Sequence, residues 1–455
     1  MPAIRSLILT IALTLASVAT TFATDAPRPN IVFLLADDLG GADVSWRGSP
    51  IKTPQLDALA NSGAKLEQFY VQPVCSPTRS ALLTGRYPMR YGLQVGVVRP
   101  WADYGLPLDE RTLAEALQDA GYETAIVGKW HLGHVSPAYL PMARGFDHQY
   151  GHYNGALDYF THDRDGGHDW HKDDHVNRDE GYATHLIAQE AVRVIQDRDK
   201  KKPLFLYVPF NAVHSPLQVP ESYAAPYGDM KKRRQAYAGM VAALDEAVGQ
   251  IVDEIQRQEM LDNTLFIFSS DNGGPEPGKL TDNGPLRGGK HTLYEGGVRV
   301  CAFASWKGRI APGSKVEAPL HIVDWYPTLI ELAGGSLQQA KPLDGRNIWP
   351  SITTGEPSPH DVIVCNITPT EGAIRVGDWK LVVHNIGKPR EKVELFNLSD
   401  DLAEQQNRAT TNAKMLRKLR NRFDQLASEA APAKNAGPQP KDYQAPAIWG
   451  ERAHP

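Results

Sequence analysis

A cysteine that could act as a nucleophile lies at the start of a predicted helix. Residues 75–79 read CSPTR, and Pro77 suits the first turn of a helix that the following residues continue. Helix N-termini stabilise negative charge, and Arg79 adds a permanent cation one turn beyond Cys75. These residues indicate an activated thiol in an electropositive pocket, and a cysteine that simply packs at a helix start is the alternative.

The strongest sign of a binding site is a set of four predicted strand ends that carry polar groups. In an open α/β sheet, ligands bind in the crevice beyond the carboxyl ends of the strands. The strands and their polar residues are 31–35 with Asp37 and Asp38, 124–127 with Lys129 and His131, 204–208 with His214, and 265–268 with Asp271 and Asn272. One such end is typical of a helix cap or a solvated turn, but four together indicate one shared site.

The acids and the amide of this set predict a metal centre. Asp37, Asp38, Asp271 and Asn272 offer only oxygen atoms, which suit Ca²⁺ or Mg²⁺ better than Zn²⁺ or copper. The surrounding donors would suit a tetrahedral oxyanion, and they are Lys129, His131, His214 and Lys290. The sequence therefore predicts a hard metal ion beside an anion-binding pocket.

The elements that must position these residues alternate between strand and helix. This alternation predicts an α/β fold with a large, mixed, mostly parallel sheet sandwiched by helices. The predicted helices cover residues 54–62 (capped by Thr53), 109–120, 235–258 and 324–333, and a further strand covers 298–304. Beyond Pro350 the pattern changes to short strands at 362–365, 373–376 and 379–383, followed by a helix at 411–427.

The change of pattern predicts three regions along the 455-residue chain. Residues 1–23 form a signal peptide, 24–355 a catalytic domain, and 356–455 a smaller C-terminal α+β subdomain on a short antiparallel sheet, with a tail rich in Pro and Ala. From Ala431 onward the tail is expected to wrap over the surface or to be partly disordered.

The N-terminus and the cysteine usage indicate an exported protein. Arg5 precedes an apolar run that is too short to span a bilayer, so a cleaved secretory signal is expected and an uncleaved anchor is the alternative. No other stretch is apolar enough for stable membrane insertion. The net charge of -5 gives no general attraction to nucleic acid. Cys301 and Cys365 lie in apolar runs and are expected to be buried small hydrophobes, and whether they pair stays open.

The cysteine motif and the strand ends together resemble type I sulfatases of the alkaline phosphatase superfamily. CSPTR at 75–79 continues as SALLTGR at 80–86, and the other matching blocks are LADDLG at 35–40, GKWHLG at 128–133, HSP at 214–216, SDNGG at 270–274 and RGGK at 287–290. Within the family, QPVC at 72–75, KPLFLY at 202–207 and EGGVR at 295–299 most resemble the N-acetylgalactosamine-4-sulfatase (arylsulfatase B) branch. The resemblance implies an alkaline phosphatase-like fold and hydrolysis of a sulfate monoester.

The resemblance also implies a set of roles for the site. Cys75 would be oxidised by a formylglycine-generating enzyme to 3-oxoalanine (formylglycine), and Asp37, Asp38, Asp271 and Asn272 would bind Ca²⁺ together with residue 75. A hydroxyl of the hydrated aldehyde would attack sulfur. The remaining roles are to hold the diol (Arg79, Lys129), to bind sulfate (Lys290, His214), to protonate the leaving alcohol (His214) and to take a proton as sulfate departs (His131).

Residues 150–175 depart from the family pattern and are expected to help select the sugar. This stretch is rich in His, Asp, Gly and aromatic residues, and its expected sugar contacts are His168, Trp170 and His171. The expected substrates are a sulfated carbohydrate, such as N-acetylgalactosamine 4-sulfate or galactose sulfate, or an aryl sulfate. Two alternatives remain open, namely a phosphonate or phosphate-ester hydrolase and an inactive glycan-binding relative. The expected location is secreted or periplasmic, or lysosomal in a eukaryote.

Overall fold

The computed structural model describes residues 28–451 of the chain. The predicted signal peptide at residues 1–23 lies outside the described residues. The strands are β1 (Asn30–Ala36), β2 (Ala64–Leu66), β3 (Phe69–Tyr70), β4 (Glu123–Lys129), β5 (His148–His152), β6 (Asp163–Arg164), β7 (Gly167–His168), β8 (His171–Lys172), β9 (His175–Val176), β10 (Leu204–Pro209), β11 (Thr264–Ser270), β12 (Arg299–Val300), β13 (Ala302–Ser305), β14 (Ser314–Val316), β15 (Leu320–His321), β16 (Ile363–Ile367), β17 (Glu371–Val376), β18 (Trp379–His384) and β19 (Lys392–Asn397).

The α-helices fall mostly between these strands, as the alternating pattern predicts. They are α1 (Pro54–Ser62), α2 (Cys75–Thr84), α3 (Leu113–Asp119), α4 (Ala183–Asp197), α5 (Glu221–Ala224), α6 (Lys232–Arg257), α7 (Glu295–Val298), α8 (Trp325–Leu332), α9 (Trp349–Thr353) and α10 (Ala413–Ser428). No helix among residues 28–451 is both long enough and apolar enough to cross a bilayer.

A ten-stranded mixed sheet forms the centre of the molecule. Its order is β14-β2-β13-β11-β1-β10-β4-β5-β8-β9, and the five strands from β11 to β5 run parallel to one another. β13 pairs with β11 in the antiparallel sense, and β5 pairs likewise with β8. The predicted fold class, a large and mostly parallel sheet with helices on its faces, is confirmed.

Strand β1 shows how the sequence builds two hydrophobic layers. Alternate side chains of a strand point to opposite faces, so its continuous apolar run serves both sides of the sheet. Ile31, Phe33 and Leu35 pack in one core with α2, α3 and α8. Val32, Leu34 and Ala36 pack in a second core with α1, α4 and α6.

Two local predictions need correction. Thr53 precedes α1 as expected, but its hydroxyl donates to Asp57, and the first N–H groups of α1 donate to the Asp245 carboxylate on α6. The strand predicted at 298–304 is divided, because the chain leaves α7, pairs with β3 as β12 and then enters the central sheet as β13. Both differences come from partners that are distant in sequence.

The C-terminal region forms a four-stranded antiparallel sheet of order β16-β17-β18-β19, covered by α10. The sequence predicts its first three strands, whereas β19 was missed. Val364, Ile374 and Leu419 of this region belong to the same core as α2 and α8, so the small sheet packs directly on the larger part of the chain. Beyond α10 the tail wraps over the surface, with Ala431 N–H bound to Met89 O and Lys434 N–H bound to Gly92 O.

Candidate active site

The ends of β1 and β11 bring four acid and amide side chains together. These strands are parallel neighbours with Ala36 opposite Ser270, so the residues that follow each strand lie side by side. The Asp38 N–H donates to Asp271 Oδ1 at 3.3 Å, and Asn272 Nδ2 donates to Asp38 Oδ1 at 2.7 Å. Asp37, Asp271 and Asn272 are fully buried, and Asp38 is nearly so.

Glycine permits this close approach of the two chain segments. A Cβ atom on Gly273 would lie 1.7 Å from the carbonyl oxygen of Gly296, and one on Gly274 would lie 2.5 Å from Thr281 Oγ1. No side chain larger than hydrogen fits at Gly273 without moving the backbone that carries Asn272.

Cys75 occupies the first position of α2 and faces this acidic group. Its Sγ lies 3.6 Å from Asp37 Oδ1, and the side chain is buried. Burial, followed by the negative charges of Asp271 and Asp37, raises the pKa of the Cys75 thiol far above its ordinary value, despite the nearby Lys129 and Lys290. The pKa of the unmodified thiol therefore shifts opposite to the activated thiol that the motif predicts, mainly because Cys75 is buried.

Three cations balance the three carboxylates. Arg79 is fully buried and donates to Asp271 at 2.8 Å and to Asp37 at 3.4 Å, and it also binds the backbone oxygen of Lys129 at 2.9 Å. Lys129 forms an ion pair with Asp37, and Lys290 Nζ lies 2.8 Å from Asp38. Each cation therefore joins the site to a different part of the chain.

The charges set the pKa values of the acids in opposite directions. Burial opposes ionisation of Asp37, but the charges of Lys129, His214 and Arg79 hold its pKa well below the usual range. For Asp271, burial and the neighbouring Asp37 charge prevail over Arg79 and raise its pKa to about 6. A cation placed between these oxygens would favour the ionised form of both acids.

Two histidines line the same cavity. His131 is buried with Nε2 3.1 Å from Val98 O, and its Nδ1 has no hydrogen-bond partner among the described residues. Gly155 packs against its ring, where a Cβ atom would lie 2.4 Å from Cε1. His214 is partly exposed, with Nδ1 2.7 Å from Ser215 O and Nε2 3.6 Å from Asp38. Burial lowers the pKa of both rings.

The residues present fit a hard divalent cation. Oxygen, nitrogen or sulfur atoms of Asp37, Asp38, Cys75 and His214 lie within 4.8 Å of one another. The Oδ1 atom of Asn272 is buried and has no hydrogen-bond partner among the described residues. Burying such an oxygen is unfavourable unless a bound cation or ligand interacts with it. Carboxylate and amide oxygens are the donors that Ca²⁺ prefers.

The three residues expected to contact the sugar are turned inward. Trp170 is fully buried and its ring stacks on His162 at 4.5 Å between centroids. His171 is buried and stacks on Tyr153 at 4.1 Å, while His168 is nearly buried with Nε2 2.6 Å from Asn177 O. The expectation that His168, Trp170 and His171 touch the sugar directly is wrong, because β6 to β9 fold their rings into the interior.

The cavity above Cys75 contains residues that the sequence analysis missed. Its volume is ≈ 220 Å³, and its lining includes Cys75, His131, His214 and Lys290 together with Arg99, Arg164 and His291. Arg99 follows a segment with no distinctive motif, so only the fold reveals its position, whereas the place of His291 directly after Lys290 of the RGGK block was a signal that could have found it. All six catalytic side chains that the sequence predicts lie at this cavity or in the buried cluster beneath it.

Comparisons with known proteins place the chain among enzymes of one kind. A family profile described as "Sulfatase" matches residues 29–336. Mouse arylsulfatase J is 36% identical over 93% of this chain and 80% of its own length, and mouse N-acetylgalactosamine-6-sulfatase is 35% identical over 73% and 68%. A crystal structure of Ps i-CgsB in complex with k-i-k-neocarrahexaose superposes with a TM-score of 0.83 at 33% identity, covering 89% of this chain and 94% of that one.

Proposed function

Because the chain belongs to the sulfatase family and is a sulfuric ester hydrolase, we propose that it releases sulfate from a sulfated sugar with a nucleophile made from Cys75 and a bound Ca²⁺. N-acetylgalactosamine 4-sulfate and galactose sulfate are the proposed sugar classes. The observation that carries the proposal is the position of Cys75 at the bottom of a cavity, above a buried and charge-balanced cluster.

The unmodified thiol is a poor candidate for the nucleophile. Its pKa is raised by burial and by two carboxylates, so very little thiolate exists near neutral pH. Formylglycine, made from Cys75 by a formylglycine-generating enzyme, supplies an oxygen nucleophile and a carbonyl that can later release sulfate. The positive charges of Lys129 and Lys290 act on position 75, which favours an oxygen nucleophile that carries negative charge there.

Asp37, Asp38, Asp271 and Asn272 would hold the Ca²⁺ ion with an oxygen of residue 75. Bound Ca²⁺ supplies positive charge that lowers the pKa of an oxygen ligand and screens the incoming sulfate. The three acids and the three cations Arg79, Lys129 and Lys290 cancel in formal charge, so a divalent ion gives the site a net positive charge. That charge favours an anionic ester over a neutral one.

The cavity side chains have the chemistry for the remaining steps. Lys290 and His214 line the cavity and can bind the sulfate oxygens. His214 is the proposed acid, because its partly exposed side chain lines the cavity and the charges of Asp38 and Asp37 favour its protonated form, although burial lowers its pKa overall. His131 is the proposed base, because its Nδ1 has no hydrogen-bond partner among the described residues and its low pKa keeps the ring neutral.

The test combines peptide mass spectrometry with paired substrates. Active protein should carry the aldehyde at position 75, and kcat/KM should be far higher on an aryl sulfate than on the matching aryl phosphate. Cys75→Ala should remove turnover, whereas Cys301→Ala, at another buried free cysteine, should keep it. Full activity with only the unmodified thiol would refute the nucleophile. A preference for the phosphate would instead favour the phosphate-ester alternative.

We further propose that the protein is exported by its N-terminal signal. The apolar run after Arg5 is too short for a bilayer-spanning helix. N-terminal sequencing of the mature protein should begin near residue 24. A mature N-terminus at Met1 would contradict cleavage of the signal.

A further inference from the structure

The mouth of the active-site cavity carries more positive charge than the scissile sulfate requires. Lys290 lines the cavity and belongs to the catalytic cluster, where it is paired with Asp38. Arg99 and Arg164 line the same cavity, but neither belongs to that cluster. No carboxylate lines the cavity among the described residues, so it presents only positive or neutral groups to a ligand.

Arg99 is a cation without an acidic partner. Its side chain is exposed, and no Asp or Glu within residues 28–451 forms an ion pair with it. The guanidinium lies over the ring of Trp101, 6.0 Å from the ring centroid. Arg99 lines the cavity together with His291. It therefore packs near an aromatic ring at the cavity mouth with no carboxylate to neutralise its charge.

Arg164 lines the same cavity from strand β6. Its nearest carboxylate is that of the adjacent Asp165, 3.3 Å from Nε, yet this buried Nε has no hydrogen bond of normal geometry. The C-terminal tail fixes the hairpin that carries it. Trp449 Nε1 donates to Arg164 O at 2.9 Å, and His168 N–H donates to Ala447 O at 2.9 Å.

We propose that Arg99 and Arg164 form a second anion subsite, and that the preferred substrate is a saccharide with another negative group beside the scissile sulfate. This inference rests on the proposed sulfatase function. The group is a second sulfate or a uronate carboxylate, since arginine binds either with paired N–H donors. The cavity of ≈ 220 Å³ is smaller than the roughly 300–1,000 Å³ of pockets that enclose a drug-sized ligand, so a longer saccharide extends across this mouth.

The test measures kcat/KM for four substrates: an aryl sulfate, a monosulfated galactose, a disulfated disaccharide, and a monosulfated disaccharide that contains a uronate. The wild-type enzyme should prefer one or both of the dianionic disaccharides to the monosulfated sugar. Arg99→Ala and Arg164→Ala should each lower kcat/KM on the preferred dianion roughly ten- to a hundred-fold more than on the aryl sulfate, because each loses a charged hydrogen bond. The better of the two disaccharides identifies the second anion.

Arg309→Ala is the matched control. Arg309 is also exposed, and it lies over Trp306 at 5.7 Å, but it does not line the cavity. This variant should behave as wild type on all four substrates. Calorimetric binding of the disulfated disaccharide to Cys75→Ala protein should weaken with Arg99→Ala and with added NaCl, which tests the subsite without turnover.

Different results would refute the second anion subsite and the sulfatase function. Two results would refute the second subsite and leave the sulfatase function standing. In the first, the enzyme hydrolyses the aryl sulfate but does not prefer either dianionic disaccharide to the monosulfated sugar. In the second, both arginine variants lower kcat/KM equally on every substrate. If no sulfate ester is hydrolysed by protein that carries the aldehyde, the proposed function is refuted. Equal behaviour of Arg309→Ala and Arg99→Ala also overturns the subsite.

Discussion

The C-terminal sheet is tied to the rest of the chain by a buried charged triad, and removing its one cation should be costly. Lys380 on β18 lies 2.9 Å from Glu295 of α7 and 3.0 Å from Glu404, and all three side chains are fully buried. Glu295 also accepts a hydrogen bond from the Tyr70 hydroxyl at 2.7 Å. We predict that Lys380→Met strongly destabilises the protein, because it leaves two carboxylates around an apolar side chain.

The expected loss can be worked from the charges. Without Lys380, Glu295 would still accept from the Tyr70 hydroxyl and lie 3.5 Å from the guanidinium of Arg299. Among the described residues, the side chain of Glu404 would then have one donor, the Glu295 N–H at 2.7 Å. Glu404 should therefore take up a proton in the folded variant. At pH 7, neutralising a carboxyl group with an ordinary pKa near 4.3 costs roughly 3–4 kcal/mol. This cost agrees with the roughly 3–5 kcal/mol of stability that is lost when one partner of a buried ion pair is removed.

The assay is urea denaturation of wild type and variant at about pH 7 and about pH 5. In the variant, the folded-state pKa of Glu404 lies above its unfolded value, so its contribution to stability falls as pH rises between the two. In wild type, burial already raises the pKa of Glu404 although Lys380 opposes this shift, so wild type shares part of the pH dependence. The deficit relative to wild type should therefore shrink as pH is lowered from 7 toward 5, by at most about 1.4 kcal/mol for each pH unit. In Lys380→Met/Glu404→Gln, the pH dependence should largely disappear.

Lys307→Met provides the comparison. Lys307 forms an ion pair with Asp262 at 2.6 Å, but both side chains are largely exposed, at 66% and 76%. Its loss should cost at most about 1 kcal/mol, as for other surface pairs. The reasoning is refuted if Lys380→Met costs no more than Lys307→Met, or if its deficit is the same at both pH values.

Three further predictions concern the site and the tail. Chelation should abolish activity, and Ca²⁺ should restore it. Asp37→Asn should weaken Ca²⁺ binding, measured by calorimetry, by at least about tenfold, because even residues that only hydrogen-bond to a metal ligand contribute that much. An unchanged affinity for Ca²⁺ would contradict the site. Gly273→Ala should also weaken Ca²⁺ binding, because its Cβ would lie 1.7 Å from Gly296 O, while Gly41→Ala, with nothing nearer than 3.8 Å, should bind normally. Trp449→Ala should speed hydrogen exchange in the β6–β7 hairpin, and unaltered exchange there would mean that the tail does not hold it.

The parts of the fold that the sequence predicts best are those with a strong local pattern. β1, β4, β10 and β11 have apolar centres with polar residues at or after their carboxyl ends, and the rule that such ends share one crevice correctly predicts that the acids of the site lie together. The helical pattern of α6 is equally clear, since Met240, Leu244, Val248, Ile251 and Ile255 recur at spacings of three and four residues and are buried.

The failures concern side chains whose surroundings come from distant segments. The pKa of Cys75 is raised by burial first and then by Asp271 and Asp37, and neither its burial nor these distant carboxylates can be read from the residues around position 75. Trp170 and His171 look like sugar contacts by composition, but the period of two in short strands does not say which face is covered. The cover here includes Trp449, near the other end of the chain, which packs on the hairpin through its indole.

The position of β1 in the sheet has a consequence for how the chain is made. β1 leaves the ribosome first, but its two neighbours begin only at Leu204 and Thr264. At synthesis rates of about 5–20 residues per second, the strand waits on the order of ten to thirty seconds before its first partner exists. Throughout that interval NIVFLLA is an apolar strand with both edges open, the kind of segment that pairs with other chains. Production of this protein therefore depends on shielding that one segment during synthesis, and aggregation during expression should begin there.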